Sequence, residues 1–94
     1  RDKDRRVSIR TGDAVLHKPS GEKWLVAYVQ GEHLAWCGWP EGEALLADCE
    51  LVRACTDEQH WKLVREIAAS ASGRRARWAQ WYLAKHPAQA TVNQ

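Results

Sequence analysis

The chain of 94 residues has no long apolar run. No stretch approaches the roughly 18 consecutive apolar residues that a membrane-spanning helix needs, and the first residues lack the apolar core of a secretory signal. The sequence also contains no methionine and begins at Arg1, so we expect that the natural start of the protein precedes it. These absences predict a protein without a membrane partner. The length suits one domain with one modest core.

Cysteine is scarce, and its spacing lacks a disulfide pattern. Cys37, Cys49 and Cys55 make an odd number without a CxxC pair, which is typical of a reducing compartment. We therefore expect free thiols in a cytoplasmic protein. The alternative is a metal site formed by these thiols with His33, because zinc accepts mixed nitrogen and sulfur ligands. The spacing matches no known zinc motif, and cysteine is often simply buried, so we predict neither a metal nor another cofactor.

No catalytic constellation is visible in the sequence. The histidines have no serine, cysteine or acidic partner at a recognised spacing; they are His17, His33, His60 and His86. Asp13 and Asp48 are predicted as turn residues rather than as an acid pair. The sequence therefore predicts a binding module and not an enzyme.

Positive charge is in excess only at the two ends of the chain. Residues 1–11 carry five basic and two acidic side chains, residues 12–53 carry three and seven, and residues 54–94 carry six and three. The middle is therefore acidic, although the formal net charge of the whole chain is +2. Because nucleic-acid binding depends on basic side chains that neutralise phosphates, a nucleic-acid partner would have to contact the ends.

The segment from Gly12 to Arg53 alternates short apolar runs with turn residues. The predicted strands cover residues 14–16, 23–30, 33–39, 44–47 and 50–53, with turn chemistry at residues 18–21, 31–32 and 40–42. Both faces of the second strand are apolar, since Trp24, Val26 and Tyr28 alternate with residues 25, 27 and 29. One face should line the core, and the other should lie under a helix or be exposed for binding. Five such strands predict a small, partly open SH3-like antiparallel barrel.

Two helices are predicted after the strands. Thr56 and Gln59 have the spacing of a capping box at the start of the first helix. Its apolar side is predicted to pack on the barrel and comprises His60, Trp61, Val64, Ile67, Ala68 and Ala71. Gly73 ends this helix, and the second helix runs from Arg74 to Lys85 before Pro87. The predicted fold class is α+β, with the five-stranded barrel followed by two C-terminal α-helices.

One face of the second helix combines aromatic rings with cations and is the first candidate binding site. Its members are Arg74, Arg75, Trp78, Trp81, Tyr82 and Lys85. Ala76, Ala79 and Leu83 occupy the opposite side. Such a face is typical of protein interfaces, and it also suits phosphates and stacked bases. The alternative is that the rings belong to the core and that the basic stems pack around them to reach water.

A second candidate is an aromatic cage or groove in the barrel, formed by Trp24, Tyr28, Trp36 and Trp39. Aromatic faces attract cations, and the neighbouring carboxylates of the acidic segment would add complementary charge for a cation or an extended peptide. Strand parity places Trp36 and Trp39 on opposite faces unless Gly38 bends the chain. We therefore do not expect all four rings to form one site.

The runs GDAVLHKPSGEKWLVAYV, LAWCGWPEG and DCELV, within Gly12 to Val52, resemble a group of small phage and prophage proteins with an SH3-like barrel and no assigned activity. This resemblance implies an accessory protein of a mobile element, cytoplasmic in a bacterium. The GDxV opening is also similar to that of the plasmid-borne type II dihydrofolate reductases. The chain lacks their VQIY motif, which argues against that activity.

The sequence thus predicts a division into four parts: a basic N-terminal arm over residues 1–11, a barrel over 12–54, a two-helix extension over 55–87 and a flexible tail over 88–94. The predicted function is a non-enzymatic protein-protein interaction module that binds through the second helix and forms a homodimer. The alternative is a nucleic-acid-binding protein that uses the basic arm and the second helix.

Overall fold

The computed structural model describes residues 9–38, 41–70 and 72–90. Its elements are β1 (Ala14–His17), β2 (Glu22–Gln30), β3 (His33–Trp36), β4 (Glu43–Leu45), a 3-10 turn (Leu46–Asp48), β5 (Cys49–Arg53), α1 (Asp57–Ser70), α2 (Arg74–Ala84) and α3 (Pro87–Ala90). The predicted α+β class is confirmed. Trp39, Ala71, most of the predicted basic arm and the end of the predicted tail lie outside the described residues.

The five strands form one antiparallel sheet in the order β4-β3-β2-β1-β5. The predicted turns join β1 to β2 and β2 to β3. In the first turn, the amide of Gly21 donates a hydrogen bond to the carbonyl oxygen of His17 at 2.8 Å, and Gly21 has a φ of 76° that glycine adopts without steric cost. β2 is shared by both halves of the sheet, because it pairs with β1 along its first part and with β3 along its second.

The sheet is open, so the predicted α+β arrangement is present but closure of the five strands into a barrel is not confirmed. β4 and β5 are the two edges, and the predicted fourth strand ends early because the chain forms the 3-10 turn at Leu46–Asp48. The amide of Leu46 donates to the carbonyl of Glu32 at 2.8 Å, and the amide of Lys18 donates to the carbonyl of Asp48 at 2.9 Å. These bonds attach the connection between the edge strands to the two hairpin turns.

An irregularity in β2 changes which side chains share a face. Val26 pairs with Trp36, whereas Tyr28 pairs with Ala35, so Ala27 is an extra residue on β2. Val26 therefore packs on one side of the sheet, while Ala27 and Tyr28 both pack on the other. The expectation that Trp24, Val26 and Tyr28 share a face is wrong at Tyr28, because strict alternation ends at a bulge.

Two apolar clusters lie on opposite sides of the sheet. The sheet cluster contains Val15, Val26, Leu34 and Cys49. The helix cluster contains Ala27, Tyr28, Ala35, Val64, Ile67, Ala79 and Leu83, and it joins the sheet to α1 and α2. Of the two alternatives that the sequence leaves open for the second apolar face of this strand, the structure shows the one in which helices cover it.

The start of α1 is fixed by a capping box and by the segment before β1. The amide of Gln59 donates to Oγ1 of Thr56 at 3.1 Å, and the amide of Thr56 donates to Oε1 of Gln59 at 3.0 Å, as the sequence predicts. Buried Asp13 accepts hydrogen bonds from the amides of Arg10 at 3.0 Å and Cys55 at 2.8 Å. Thr11 is also buried. Residues 9–11, predicted as part of the arm, therefore belong to the domain.

The end of the chain departs from the prediction. α2 ends at Ala84, and Pro87 begins α3. Nη1 of Arg65 donates to the carbonyl of Gln89 at 3.0 Å, which holds α3 against α1. Residues 88–90, predicted as part of the tail, are therefore helical. Among the described residues, no helix is long and apolar enough to cross a membrane.

Candidate functional site

Trp81 is the most exposed aromatic side chain of the predicted α2 face. It is 54% exposed, and the Nζ atom of Lys85 lies 4.6 Å from the centre of its ring. This is the geometry of a cation–π contact. The i, i+4 spacing on the helix places the two side chains together. Trp81 and Lys85 therefore present a ring and a positive charge to solvent.

Trp78 and Tyr82, by contrast, are half-buried in an aromatic stack. The ring centres of Tyr28 and Trp78 are 5.6 Å apart, those of Trp78 and Tyr82 are 4.6 Å apart, and those of Tyr82 and Trp61 are 5.1 Å apart. The planes of each pair are nearly parallel, at 14° to 21°. The stack packs against the helix cluster, so its main contribution is to hold α2 on the sheet and on α1.

Arg74 is exposed but engaged by the sheet. Its Nη1 atom lies 3.0 Å from Oε2 of Glu43, and the hydroxyl of Tyr28 donates to the same oxygen at 3.0 Å. The hydrogen bond from Tyr28 and the adjacent guanidinium lower the pKa of Glu43. Burial raises the pKa of Tyr28, with a further contribution from Glu43. Both partners therefore keep their hydrogen-bonding forms at neutral pH.

Arg75 does not lie on the outer face, so its assignment to the contact surface is corrected. Its side chain is only 12% exposed, with Nε 3.7 Å from Oε2 of Glu41. Its Nη2 atom is buried without a hydrogen-bond partner in the described part of the chain. The difference from the prediction arises because Arg75 points toward the sheet, where Glu41 supplies the nearest negative charge.

Arg77 belongs to the exposed face and was missed by the sequence analysis. It is exposed, and with Gln30, Arg74, Trp78 and Trp81 it lines a shallow concavity of about 400 Å³. The sequence spacing indicates this position, since Arg77, Trp81 and Lys85 follow one another at intervals of four residues and must share a helix face.

His60 is buried and uses both ring nitrogens in hydrogen bonds, whereas the sequence predicts it only as part of the apolar side of the first helix. The Nδ1 atom is 2.8 Å from the carbonyl oxygen of Thr11, and Nε2 is 3.1 Å from the hydroxyl of Tyr82. Because a carbonyl oxygen only accepts, Nδ1 carries the proton and Nε2 accepts from Tyr82. Burial lowers the pKa of His60. The neutral ring therefore connects α1 with α2 and with the segment before β1.

The second predicted aromatic site is only partly assembled. The ring centres of Trp24 and Trp36 are 4.3 Å apart, and His17 stacks on Trp24 at 4.4 Å. Tyr28 lies on the other side of the sheet because of the bulge, and Trp39 lies outside the described residues. Trp24 and Trp36 line a groove of about 640 Å³.

The three cysteine thiols are free and at least partly buried. Burial is the largest cause that raises the pKa of each thiol, namely Cys37, Cys49 and Cys55. A raised pKa decreases the thiolate fraction, which is the reactive form. In the described ranges, no group of three or more His, Cys, Asp or Glu side chains could hold a metal ion.

Comparison of the chain with protein-family models, curated proteins and solved structures finds no significant match.

Proposed function

We propose that the chain is a non-enzymatic module that binds another protein through the Trp81 patch, defined as Gln30, Arg74, Arg77, Trp78, Trp81 and Lys85. The exposure of Trp81 carries this proposal. Most large aromatic side chains of the described residues pack in the two stacks, whereas Trp81 leaves more than half of its surface in water. Burial of such a ring in a partner pocket would provide a large apolar contact.

The charge of the patch indicates the chemistry of the partner. Arg77 and Lys85 flank Trp81, and α2 contains no acidic residue. Arginine and tryptophan are the residue types that dominate the energetics of protein interfaces. The complementary surface would be an apolar pocket for the indole, surrounded by carboxylates. We propose an acidic protein surface of this kind as the partner, and a second copy of the chain as the competing occupant.

A nucleic-acid partner is supported less well. Such a partner requires several unengaged cations for phosphates, but Arg74 contacts Glu43 and Arg75 contacts Glu41. Of the basic residues of the patch, only Arg77 and Lys85 have no carboxylate partner in the described part of the chain. The carboxylates next to the helix would also repel a polyanion.

We also propose an SH3-like shape for the sheet, a phage or prophage origin for the protein and a cytoplasmic location. A curled, incompletely closed SH3-like sheet is supported by the sharing of β2 between both halves and by the 3-10 turn that joins β4 to β5. Origin as a phage or prophage accessory protein rests on the sequence resemblance. A cytoplasmic location is in keeping with the unpaired thiols of Cys37, Cys49 and Cys55.

The test compares two exposed apolar side chains on different surfaces. Trp81→Ala removes the centre of the patch, and Val52→Ala is the matched control, because Val52 is 50% exposed on β5. Proteins retained by the wild-type chain are purified, and their dissociation constants are measured with the wild-type chain and with both variants. We expect Trp81→Ala to weaken binding by at least about tenfold, the range of an interface hot spot. Equal binding by both variants would refute the proposal.

Two further measurements separate the alternatives. Sedimentation of the wild-type chain and Trp81→Ala shows whether a second copy occupies the patch, since only a dimer through Trp81 would dissociate in the variant. Titration with single- and double-stranded oligonucleotides at increasing salt tests nucleic acid. Tight binding that falls steeply with salt and is lost on Arg77→Glu with Lys85→Glu would favour the nucleic-acid function instead.

A further inference from the structure

A second surface, on the sheet, has a chemistry opposite to that of the Trp81 patch. The Trp24–Trp36 groove is defined by Glu22, Trp24, Trp36, Glu43, Leu45 and Asp48, among other lining residues. The described residues that line it include three carboxylates and neither lysine nor arginine. It therefore combines indole rings with negative charge on the acidic part of the chain.

The indole rings are held in place before any ligand arrives. Nε1 of Trp24 donates to Oε1 of Glu22 at 3.2 Å, and the ring packs between close neighbours, His17 at 4.4 Å and Trp36 at 4.3 Å. Trp36 also lies against the backbone of Gly42, where an added Cβ would come within 2.6 Å of Cη2. A fixed aromatic surface loses little entropy when a ligand binds.

The carboxylates of the groove differ in how far they are already engaged. Glu43 is shared by Tyr28 and Arg74. Glu22 accepts the indole N–H, which leaves its second oxygen available. Asp48 has no ion-pair partner in the described part of the chain. Glu22 and Asp48 therefore supply the negative charge for a ligand.

We propose that the Trp24–Trp36 groove binds a lysine or arginine side chain presented by an extended segment of a partner protein. The cation would lie against the face of Trp36 that does not pack on Trp24, where the ring quadrupole attracts it, and within reach of Glu22 or Asp48. Leu45, which is 48% exposed at the edge strand β4, would contact the neighbouring apolar part of the segment. Charge complementarity identifies this occupant, since an anionic ligand would meet three carboxylates and a neutral one would form no ion pair with them.

The experiment uses the whole chain and short capped peptides that differ at one position. A pentapeptide of serine and alanine carries lysine, arginine, norleucine or glutamate at its centre. Binding is followed by NMR through the indole N–H signals of Trp24 and Trp36 at millimolar peptide. We expect the lysine and arginine peptides to shift both signals, and the norleucine and glutamate peptides to leave them unchanged.

A pair of double variants with equal charge change tests the carboxylates. Glu22→Gln with Asp48→Asn retains the size of the side chains and an acceptor for Trp24, so the fold is preserved. We expect it to weaken peptide binding about fivefold to tenfold, as for a partly desolvated cation. The matched control, Glu32→Gln with Glu50→Gln, neutralises two exposed carboxylates outside the groove and should change binding less than about twofold because such charges are screened.

Three results would overturn the proposal. If the norleucine peptide shifts the indole signals as much as the lysine peptide does, the groove is apolar and does not select charge. If both double variants weaken peptide binding equally, the attraction is non-specific. If no peptide shifts the signals, the groove does not bind cations. Trp81→Ala should leave peptide binding unchanged. The experiments can therefore refute the proposal for the Trp81 patch and the proposal for the groove independently of each other.

Discussion

The hydroxyl of Tyr82 on α2 donates a hydrogen bond to Nε2 of His60 on α1, with the two atoms 3.1 Å apart. The same imidazole donates through Nδ1 to the carbonyl of Thr11 at 2.8 Å. One buried neutral ring therefore joins three segments that are far apart in sequence. Protonation of Nε2 would remove the acceptor that Tyr82 uses.

The first prediction concerns the pH dependence of stability. Burial lowers the pKa of His60 below its ordinary value of 6.5, so between the folded and unfolded pKa values the unfolded chain binds more protons. The stability that neutral His60 contributes to the free energy of unfolding is therefore complete above pH 6.5. It decreases as the pH falls toward the pKa of His60 in the folded chain. Urea unfolding at a series of pH values measures it. In His60→Gln the slope in this window should be reduced, and an unchanged slope would contradict the assignment.

The second prediction separates packing from contact surface on α2. Trp78→Ala removes the middle of the stack between Tyr28 and Tyr82 and should decrease the free energy of unfolding by about 2–4 kcal/mol, somewhat below a fully buried indole. Trp81→Ala removes an exposed ring and should change it by no more than about 0.5–1 kcal/mol. Denaturant unfolding of both variants gives the comparison. Similar losses would mean that Trp81 also stabilises the fold.

The third prediction concerns the contact between Gly42 and Trp36. A methyl group at residue 42 would approach Cη2 of Trp36 to 2.6 Å, so Gly42→Ala should displace the ring, alter the near-ultraviolet circular dichroism and destabilise the protein by about 1–3 kcal/mol. The same substitution in a Trp36→Leu background should cost less, because the clashing atoms are absent. Equal costs in the two backgrounds would exclude this contact as the cause.

The fourth prediction concerns buried Asp13, whose carboxylate accepts the amides of Arg10 and Cys55. Asp13→Ala leaves two backbone donors without this partner and should lower the free energy of unfolding by about 2–4 kcal/mol. Asp13→Asn keeps one acceptor oxygen and should cost less. Unfolding experiments on both variants test this order, which the reverse result would contradict.

Local chemistry made much of the fold predictable. The capping box of Thr56 and Gln59, the glycine turns and the apolar side of α2 depend on neighbouring residues and on helical or strand periodicity, and the structure confirms them. The positions of Arg75 and Tyr28 were not predictable in this way. Arg75 turns toward Glu41 on a distant loop, and Tyr28 changes face because of a bulge that only strand pairing reveals.

The sequence by itself determined the α+β class, the order of the five strands and of the first two helices, and the separation of an acidic middle from basic ends, because composition and periodicity act over a few residues. Tertiary structure alone decided that Trp24 and Trp36 face carboxylates in one groove, that Trp78 packs in a stack and that Trp81 remains exposed. The three side chains Trp24, Trp36 and Trp78 owe their surroundings to contacts across the sheet or between elements, and the burial of an aromatic ring depends on those contacts rather than on its neighbours in sequence.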